Sequence, residues 1–300
     1  MSKHRLGLFL AAAGAICFGI GGTLSNILFT RITVSPQWVV SARMLFSGLL
    51  ILGYLLCRRE NIFSIWHQKR DAFGVLLFGI FGVLFAQATF LQAVFYGNAA
   101  VATILQSLGP ALIVIILSVA LRQVPRRNEA IAILISLIGV FLVVTNGDLH
   151  QLDVPVQAFV WGLISVIGVA AYTLLPRPLL ARHSSLIVVG WGLLIGGIVA
   201  NFVAPVWQLP KDFGGVELLL VIGVVLIGTM GAYACYVASL NYLQPAIVSM
   251  LGLFEPLTAT ILAVLFLGVQ FRGFQIIGVI LALFSIILIN FPLPKKHRSL

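Results

Sequence analysis

Charged residues are scarce in this sequence. Only 8 acidic and 18 basic side chains occur in 300 residues, so 9% of the chain is charged, against about a quarter in soluble domains. Hydrophobic residues make up 61% of the chain, and they form runs of roughly 20 residues, the length that a membrane-spanning helix needs. The ten-residue alternating strands of a membrane barrel are absent from the sequence. The sequence therefore predicts an all-α integral membrane protein.

Several function classes lack the residues they require. The net charge of +10 is scattered through short loops, without the concentrated basic patch of a nucleic-acid partner. The three cysteines show no CxxC motif, which argues against a redox or metal site. All five histidines lie in predicted loops or tails, and HExxH is absent, so intramembrane serine protease and metalloprotease mechanisms have no histidine to use. We expect no enzymatic activity and no cofactor.

The apolar runs predict ten transmembrane helices. Fourteen lysines and arginines lie on the side that holds the N-terminus, and three, Arg31, Lys211 and Arg272, lie on the opposite side. Positive loops stay in the cytoplasm, so we expect both termini to be cytoplasmic in a multi-pass protein of the cell membrane. The predicted spans are 6–29, 36–57, 73–96, 98–121, 129–146, 157–176, 185–207, 216–241, 244–267 and 273–291.

The sequence contains an internal repeat with an offset of 146 residues. The informative matches are Gly82 with Gly228, Tyr96 with Tyr242, Pro110 with Pro256 and Arg126 with Arg272. The repeat predicts a first unit at 1–147 with helices 1–5, a second at 155–292 with helices 6–10, and a basic cytoplasmic tail at 293–300. Because five is odd, the two units are expected to be inverted relative to one another. Inverted repeats are typical of secondary transporters that bind substrate near the midplane.

These features resemble EamA-type carriers of the drug/metabolite transporter superfamily over nearly the whole chain. The resemblance rests on Arg43 in helix 2, Pro110 in helix 4, Glu255-Pro256 in helix 9, and the segments Tyr96-x-Asn98-Ala99-Ala100-x-Ala102-Thr103 and Tyr242-x-Gln244-Pro245-Ala246. It implies a membrane carrier, often an exporter of amino acids or other metabolites, with no bound cofactor. Many members place Gly-Glu at the far ends of helices 4 and 9, where this chain has Leu121-Arg122-Gln123 and Gly268-Val269-Gln270. Because this chain lacks those glutamates, the resemblance implies no role for carboxylates at the far ends of helices 4 and 9.

Arg43 and Glu255 are the two charged residues well inside predicted spans. A charge at the bilayer centre costs at least about 2.5–3.5 kcal/mol on insertion scales, so such residues are candidates for function. Glu255 is predicted to bind a proton or a substrate amine; the alternative is that it caps backbone groups freed by Pro256. Arg43 either contacts a substrate carboxylate, or snorkels outward or holds an adjacent loop. The two also offset each other if helices 2 and 9 meet.

Uncharged polar and aromatic residues complete the predicted binding site. Gln87 corresponds to Tyr233 by the repeat offset, and Gln106 lies one turn before the helix break expected at Pro110, whose equivalent is Pro256. Singly, each candidate is explained by an interhelical hydrogen bond; together they predict a mixed polar and aromatic pocket. The remaining candidates are Tyr172, Tyr236, Asn26 and Trp191.

The sequence thus predicts a secondary-active transporter that moves a small metabolite by alternating access around a midplane site. An exporter of amino acids, amines or related compounds is the favoured form, in a lipid bilayer and with protons as a coupling ion through Glu255. The alternatives are an intramembrane enzyme or a channel, although neither a filter repeat nor a ring of charges is present. The sequence determines neither the substrate, nor the direction, nor the oligomeric state.

Overall fold

The computed structural model describes residues 3–122, 124–125, 127–148, 151–243, 247–248 and 251–290, with side chains as far as residue 288. Every regular element in these ranges is helical, which confirms the all-α prediction. Gln244, Pro245, Ala246, Arg126 and the predicted tail at 293–300 lie outside the described residues.

Twelve helices follow one another in the described part of the chain, joined by short connections and one 3₁₀ helix at Ile62–Trp66. They are α1 (Lys3–Arg31), α2 (Pro36–Cys57), α3 (Lys69–Tyr96), α4 (Ala99–Gln106), α5 (Gly109–Ala120), α6 (Arg127–Thr145), α7 (Val156–Leu174), α8 (Arg177–Leu180), α9 (Ser185–Asn201), α10 (Gly215–Ser239), α11 (Phe254–Leu267) and α12 (Phe274–Asn290).

The described helices include seven stretches long and apolar enough to cross a membrane: α1, α2, α3, α4 with α5, α6, α7 with α8, and α10. Three shorter apolar helices lie at Ser185–Asn201, Phe254–Leu267 and Phe274–Leu288. The chain is therefore a multi-pass membrane protein. The count of ten spans and their inverted arrangement stay predictions.

The span predicted for 98–121 consists of two helices, and the break expected at Pro110 lies just before the proline. α4 ends at Gln106, a turn follows at Ser107 and Leu108, and Pro110 is the second residue of α5. Proline is tolerated there because the first helical N–H groups need no partner inside the helix. Likewise Pro256 is the third residue of α11, after a turn at Gly252 and Leu253. Each proline begins a helix rather than bending one.

α3 and α10 each contain a π-helical segment, at Phe78–Leu84 and at Leu226–Gly231. The repeat-related glycines Gly82 and Gly228 lie inside these two segments. A π-helical turn interrupts the regular i→i−4 bonding and is frequent at functional sites. Apart from the two glycines, nothing in the sequence predicts these segments.

Small residues set how closely the helices approach. α1 crosses α10 where Gly21 faces Gly228, and a Cβ added to either glycine would overlap the Cα of the other. In α7 a Cβ on Gly168 would lie 2.5 Å from the Cα of Ala86 in α3. α2 packs along α9, and α6 along α12. Small residues at such crossings let helix backbones approach closely within a membrane.

Candidate functional site

Two adjoining cavities lie among the central helices, with volumes of about 40 Å³ and about 20 Å³. Gln106, Tyr172 and Glu255 line both of them. The larger is also lined by Thr103, Ser107, Pro110, Ile113, Val169, Thr173, Tyr236, Gly252, Pro256 and Ile286. The smaller is also lined by Phe18, Arg43, Ala86, Gln87, Phe90 and Tyr233. Nine of the eleven residues singled out in the sequence therefore meet at this place.

Arg43 points inward from α2 and is 2% exposed. Its Nε donates to Thr229 Oγ1 over 2.7 Å, and its Nη2 donates to the Gly228 carbonyl over 2.9 Å. Both acceptors belong to the π-helical segment of α10. The snorkelling and loop-holding alternatives for Arg43 are therefore wrong. Its Nη1 has no hydrogen-bond partner, so both N–H groups of that nitrogen are buried and unpaired in a residue that lines the smaller cavity.

Gln87 and Tyr233, which are 146 residues apart, contact each other directly. The Gln87 Nε2 donates to the Tyr233 hydroxyl over 2.8 Å, and both side chains are buried. The Gln87 Oε1 is buried without a partner. An unpaired buried polar atom costs about 1–3 kcal/mol, so this acceptor and the Arg43 Nη1 both favour a polar occupant in the cavity between them.

Glu255 lies in the first turn of α11 and borders both cavities. Within the described part of the chain, its carboxylate makes no side-chain hydrogen bond, and it forms no ion pair with Arg43 within 4.0 Å. The alternative in which Glu255 caps the backbone near Pro256 is thus not realised in this structure. The carboxylate instead faces the cavity, where it is available to a cationic group or a proton.

Aromatic rings form one wall of the site. Phe18 of α1 packs edge-on against Tyr233, with ring centroids 4.9 Å apart. Tyr172 of α7 packs against Tyr233 and Tyr236 of α10 at 6.0 and 5.9 Å. Edge-to-face pairs in this range are favourable, so the rings hold one another in place. Phe18 was not predicted from the sequence, because nothing distinguishes a phenylalanine that lines a cavity from one in the core of an apolar helix.

Asn26 and Trp191 lie away from both cavities. The Asn26 Oδ1 accepts the Ala99 N–H over 3.1 Å, which satisfies a donor in the first turn of α4. The Trp191 Nε1 donates to the Ile62 carbonyl over 2.8 Å. Asn26 is closer to the end of α1 than to its centre, and both residues hold neighbouring segments. The structure therefore places Asn26 and Trp191 outside the cavities, and not in the binding site predicted for them.

Trp191→Phe is expected to lower the stability of the protein by about 1 kcal/mol, the usual net contribution of one hydrogen bond. The affinity for a ligand that occupies the cavities should not change, because Trp191 borders neither cavity. Thermal unfolding and ligand titration measure the two effects. Tyr172→Phe, which removes a hydroxyl at the cavities, is the matched comparison and should alter the affinity. A larger change in affinity for Trp191→Phe than for Tyr172→Phe would contradict this assignment.

The two cavities are large enough for water molecules but too small for a metabolite. A polar cavity of roughly 10–15 Å³ admits one water molecule, whereas small-molecule sites usually measure 300–1,000 Å³. Together the cavities offer a cationic donor, an amide acceptor, a carboxylate and aromatic rings. A metabolite that uses these groups can enter only when the surrounding helices move apart.

Comparison with known proteins relates the chain to membrane transporters. The sequence profile of the EamA-like transporter family matches residues 5–145 and again 157–291. The chain is 32% identical over 302 residues to an uncharacterized inner membrane transporter, YicL, of Salmonella typhimurium, and the match covers 100% of both chains. It is 25% identical to the uncharacterized transporter YwfM of Bacillus subtilis, over 100% of this chain and 98% of that one. A solved crystal structure superposes with a TM-score of 0.66 at 15% identity, covering 95% of each chain, which shows a shared fold.

Proposed function

The chain belongs to the EamA-like transporter family, and from that membership we propose that it is a secondary-active carrier that moves a small metabolite by alternating access. The observation that carries the proposal is the central site. There Arg43 and Gln87 leave buried polar atoms unpaired beside the free carboxylate of Glu255. We further propose that the cargo is an amino acid, an amine or a related compound, and that the carrier exports it.

An inverted arrangement of two five-helix repeats is supported by one contact and by two local features that recur in both halves of the chain. Gln87 and Tyr233, equivalent under the offset of 146, meet at the centre, as expected for residues beside a two-fold axis. The π-helical segments and the helix breaks before Pro110 and Pro256 recur at nearly the same offset. Discontinuous helices at equivalent positions of two repeats are typical of transporter binding sites. We propose repeats at 1–147 and 155–292, with ten spans and both termini cytoplasmic.

Each group in the site receives a proposed role. Glu255 binds the cationic group of the cargo or a coupling proton, and the Arg43 Nη1 donates to an anionic or carbonyl group. Gln87 and Gln106 add hydrogen bonds, and the rings of Tyr172, Tyr233 and Tyr236 cover the apolar part. Pro110 and Pro256 fix the helix starts that border the cavity. Lipid surrounds the molecule, and we propose neither a cofactor nor a nucleic-acid partner.

A thermal-shift screen of the purified protein against a metabolite library tests the proposal. A ligand bound only to the folded state stabilises it by about 2.7 kcal/mol at a hundredfold excess over its Kd. We expect amino acids or amines among the hits, and we expect each hit to exchange across proteoliposome membranes in a saturable way.

Gln106→Ala and Gln208→Ala form a matched pair for this screen. Gln106 borders both cavities, whereas Gln208 is exposed in the connection between α9 and α10. The stabilisation by a hit should fall in the first variant and persist in the second. A hit that responds equally to both substitutions would place the binding site elsewhere, and non-saturating flux with single-channel current would replace the carrier by a channel.

A further inference from the structure

Two ion pairs lie at opposite ends of the helix bundle. At one end, Asp71 in the first turn of α3 accepts from Arg182 Nη1 over 2.8 Å, and its other oxygen is 2.9 Å from His183 Nε2. At the other end, Glu217 in the first turn of α10 accepts from Arg31 Nε over 3.0 Å. α2 starts five residues after Arg31 and ends before the connection that leads to Asp71. Its 22 residues therefore separate the two pairs by about 33 Å.

The two carboxylates occupy equivalent places in the repeat. Glu217 follows Asp71 by 146 residues, the offset that relates Gly82 to Gly228. Each acid lies in the first turn of a helix that contains a π-helical segment. Each also pairs with a basic residue from the other half of the chain. The same arrangement, an acid in the first turn of a helix paired with a basic residue from the other half of the chain, therefore occurs at both ends of the bundle.

Both carboxylates are largely withdrawn from solvent, although their partners are not. The Asp71 and Glu217 side chains are 3% and 9% exposed, against 35% for Arg182 and 49% for Arg31. A buried carboxylate that loses its partner must regain water to remain charged. Separating either pair therefore requires that end of the bundle to open to water.

We propose that these pairs are two latches that hold opposite ends of the transport path closed, and that the carrier releases them one at a time. The Asp71 latch comprises Asp71, Arg182 and His183, and the Glu217 latch comprises Glu217 and Arg31. The proposal rests on the alternating access proposed above. In this structure both latches are closed, and the cavities between them are too small for a metabolite.

The state of each latch can be measured without a substrate, from the access of water-soluble reagents to the central cavity. Ile113 borders the larger cavity, so Ile113→Cys, with the three native cysteines replaced by alanine, reports which end is open to a membrane-impermeant maleimide. A second variant, in which Cys57 is the single remaining cysteine, reports the orientation of the protein in each vesicle preparation. Cys57 is exposed at the end of α2 nearest Asp71, so its labelling shows which face of the vesicle carries the Asp71 end.

Asp71→Asn should raise maleimide labelling of the reporter from the Asp71 face by up to about tenfold, which corresponds to 1.4 kcal/mol in the open population. Glu217→Gln should raise labelling from the opposite face by a similar factor. Glu60→Gln and Asp212→Asn, which neutralise exposed acids in the connections near each end, are the matched controls and should leave labelling unchanged. The exchanged pair Arg31→Glu with Glu217→Arg should restore the wild-type pattern.

Equal increases from both faces would overturn the proposal, because they would indicate general loosening of the bundle. Unchanged labelling in both latch variants would overturn it as well. A failure of the transport function itself gives a different result: the face-specific labelling would persist in a protein that exchanges no metabolite.

Discussion

Replacing Glu255 with glutamine is expected to reduce transport strongly while the yield of folded protein is retained. The substitution keeps the shape of the side chain and removes its charge, and no described residue depends on that charge as an ion-pair partner. A hydrogen bond to a charged group contributes about 1.5–3 kcal/mol, so the affinity for a cationic group should fall roughly 10- to 150-fold. Uptake into proteoliposomes and the thermal shift caused by a bound metabolite measure the effect.

Glu60→Gln is the matched control for this prediction, since Glu60 lies exposed after α2 and outside both cavities. It should transport like the wild type. A second comparison applies a pH gradient across the vesicles. If Glu255 carries a coupling proton, the gradient should change wild-type transport and leave any residual flux of Glu255→Gln unaffected. Normal transport by Glu255→Gln would remove Glu255 from the site, and a wild type indifferent to the gradient would exclude proton coupling.

Gly228→Ala is expected to destabilise the protein strongly. The added methyl group would overlap the Cα of Gly21, which is backbone and cannot rotate away. Overpacking usually costs 1–3 kcal/mol, and a backbone clash should reach the upper end of that range. The same movement would displace the Gly228 carbonyl that accepts from Arg43. We expect a loss of Tm of roughly 5–10 °C and a lower folded yield, measured by thermal unfolding in detergent.

Gly53→Ala makes the same chemical change where there is room. No atom lies within 4 Å of a Cβ built on Gly53, which is inside α2. Alanine is favoured over glycine in a helix by about 0.5–1 kcal/mol, so Tm should stay the same or rise slightly. Equal losses of stability in the two variants would show that the crossing of α1 and α10 does not limit the packing.

The sequence indicated the charged residues that line the cavities, but it did not indicate Thr103, Ser107 and Thr173 or the phenylalanines. Arg43 and Glu255 stand out because charge is costly in a membrane, and Gln87 and Tyr233 stand out because the repeat relates them. Phe18 and Phe90 border the same cavity, but phenylalanine is common in every span. Asn26 and Trp191 were placed in the site because polarity alone does not tell a side chain that binds substrate from one that supports a neighbouring helix.

The sequence by itself determined the class of the molecule. A bilayer requires long apolar helices, and these are visible in the sequence as long apolar runs. The internal repeat is also visible in the sequence, as matching residues at a constant offset. The tertiary structure alone decided which side chains meet. It turned Arg43 toward the π-helical segment of α10, and it paired Asp71 and Glu217 with basic residues from the opposite halves of the chain. These outcomes depend on how helices distant in sequence approach each other, which is set by close contacts such as that of Gly21 with Gly228.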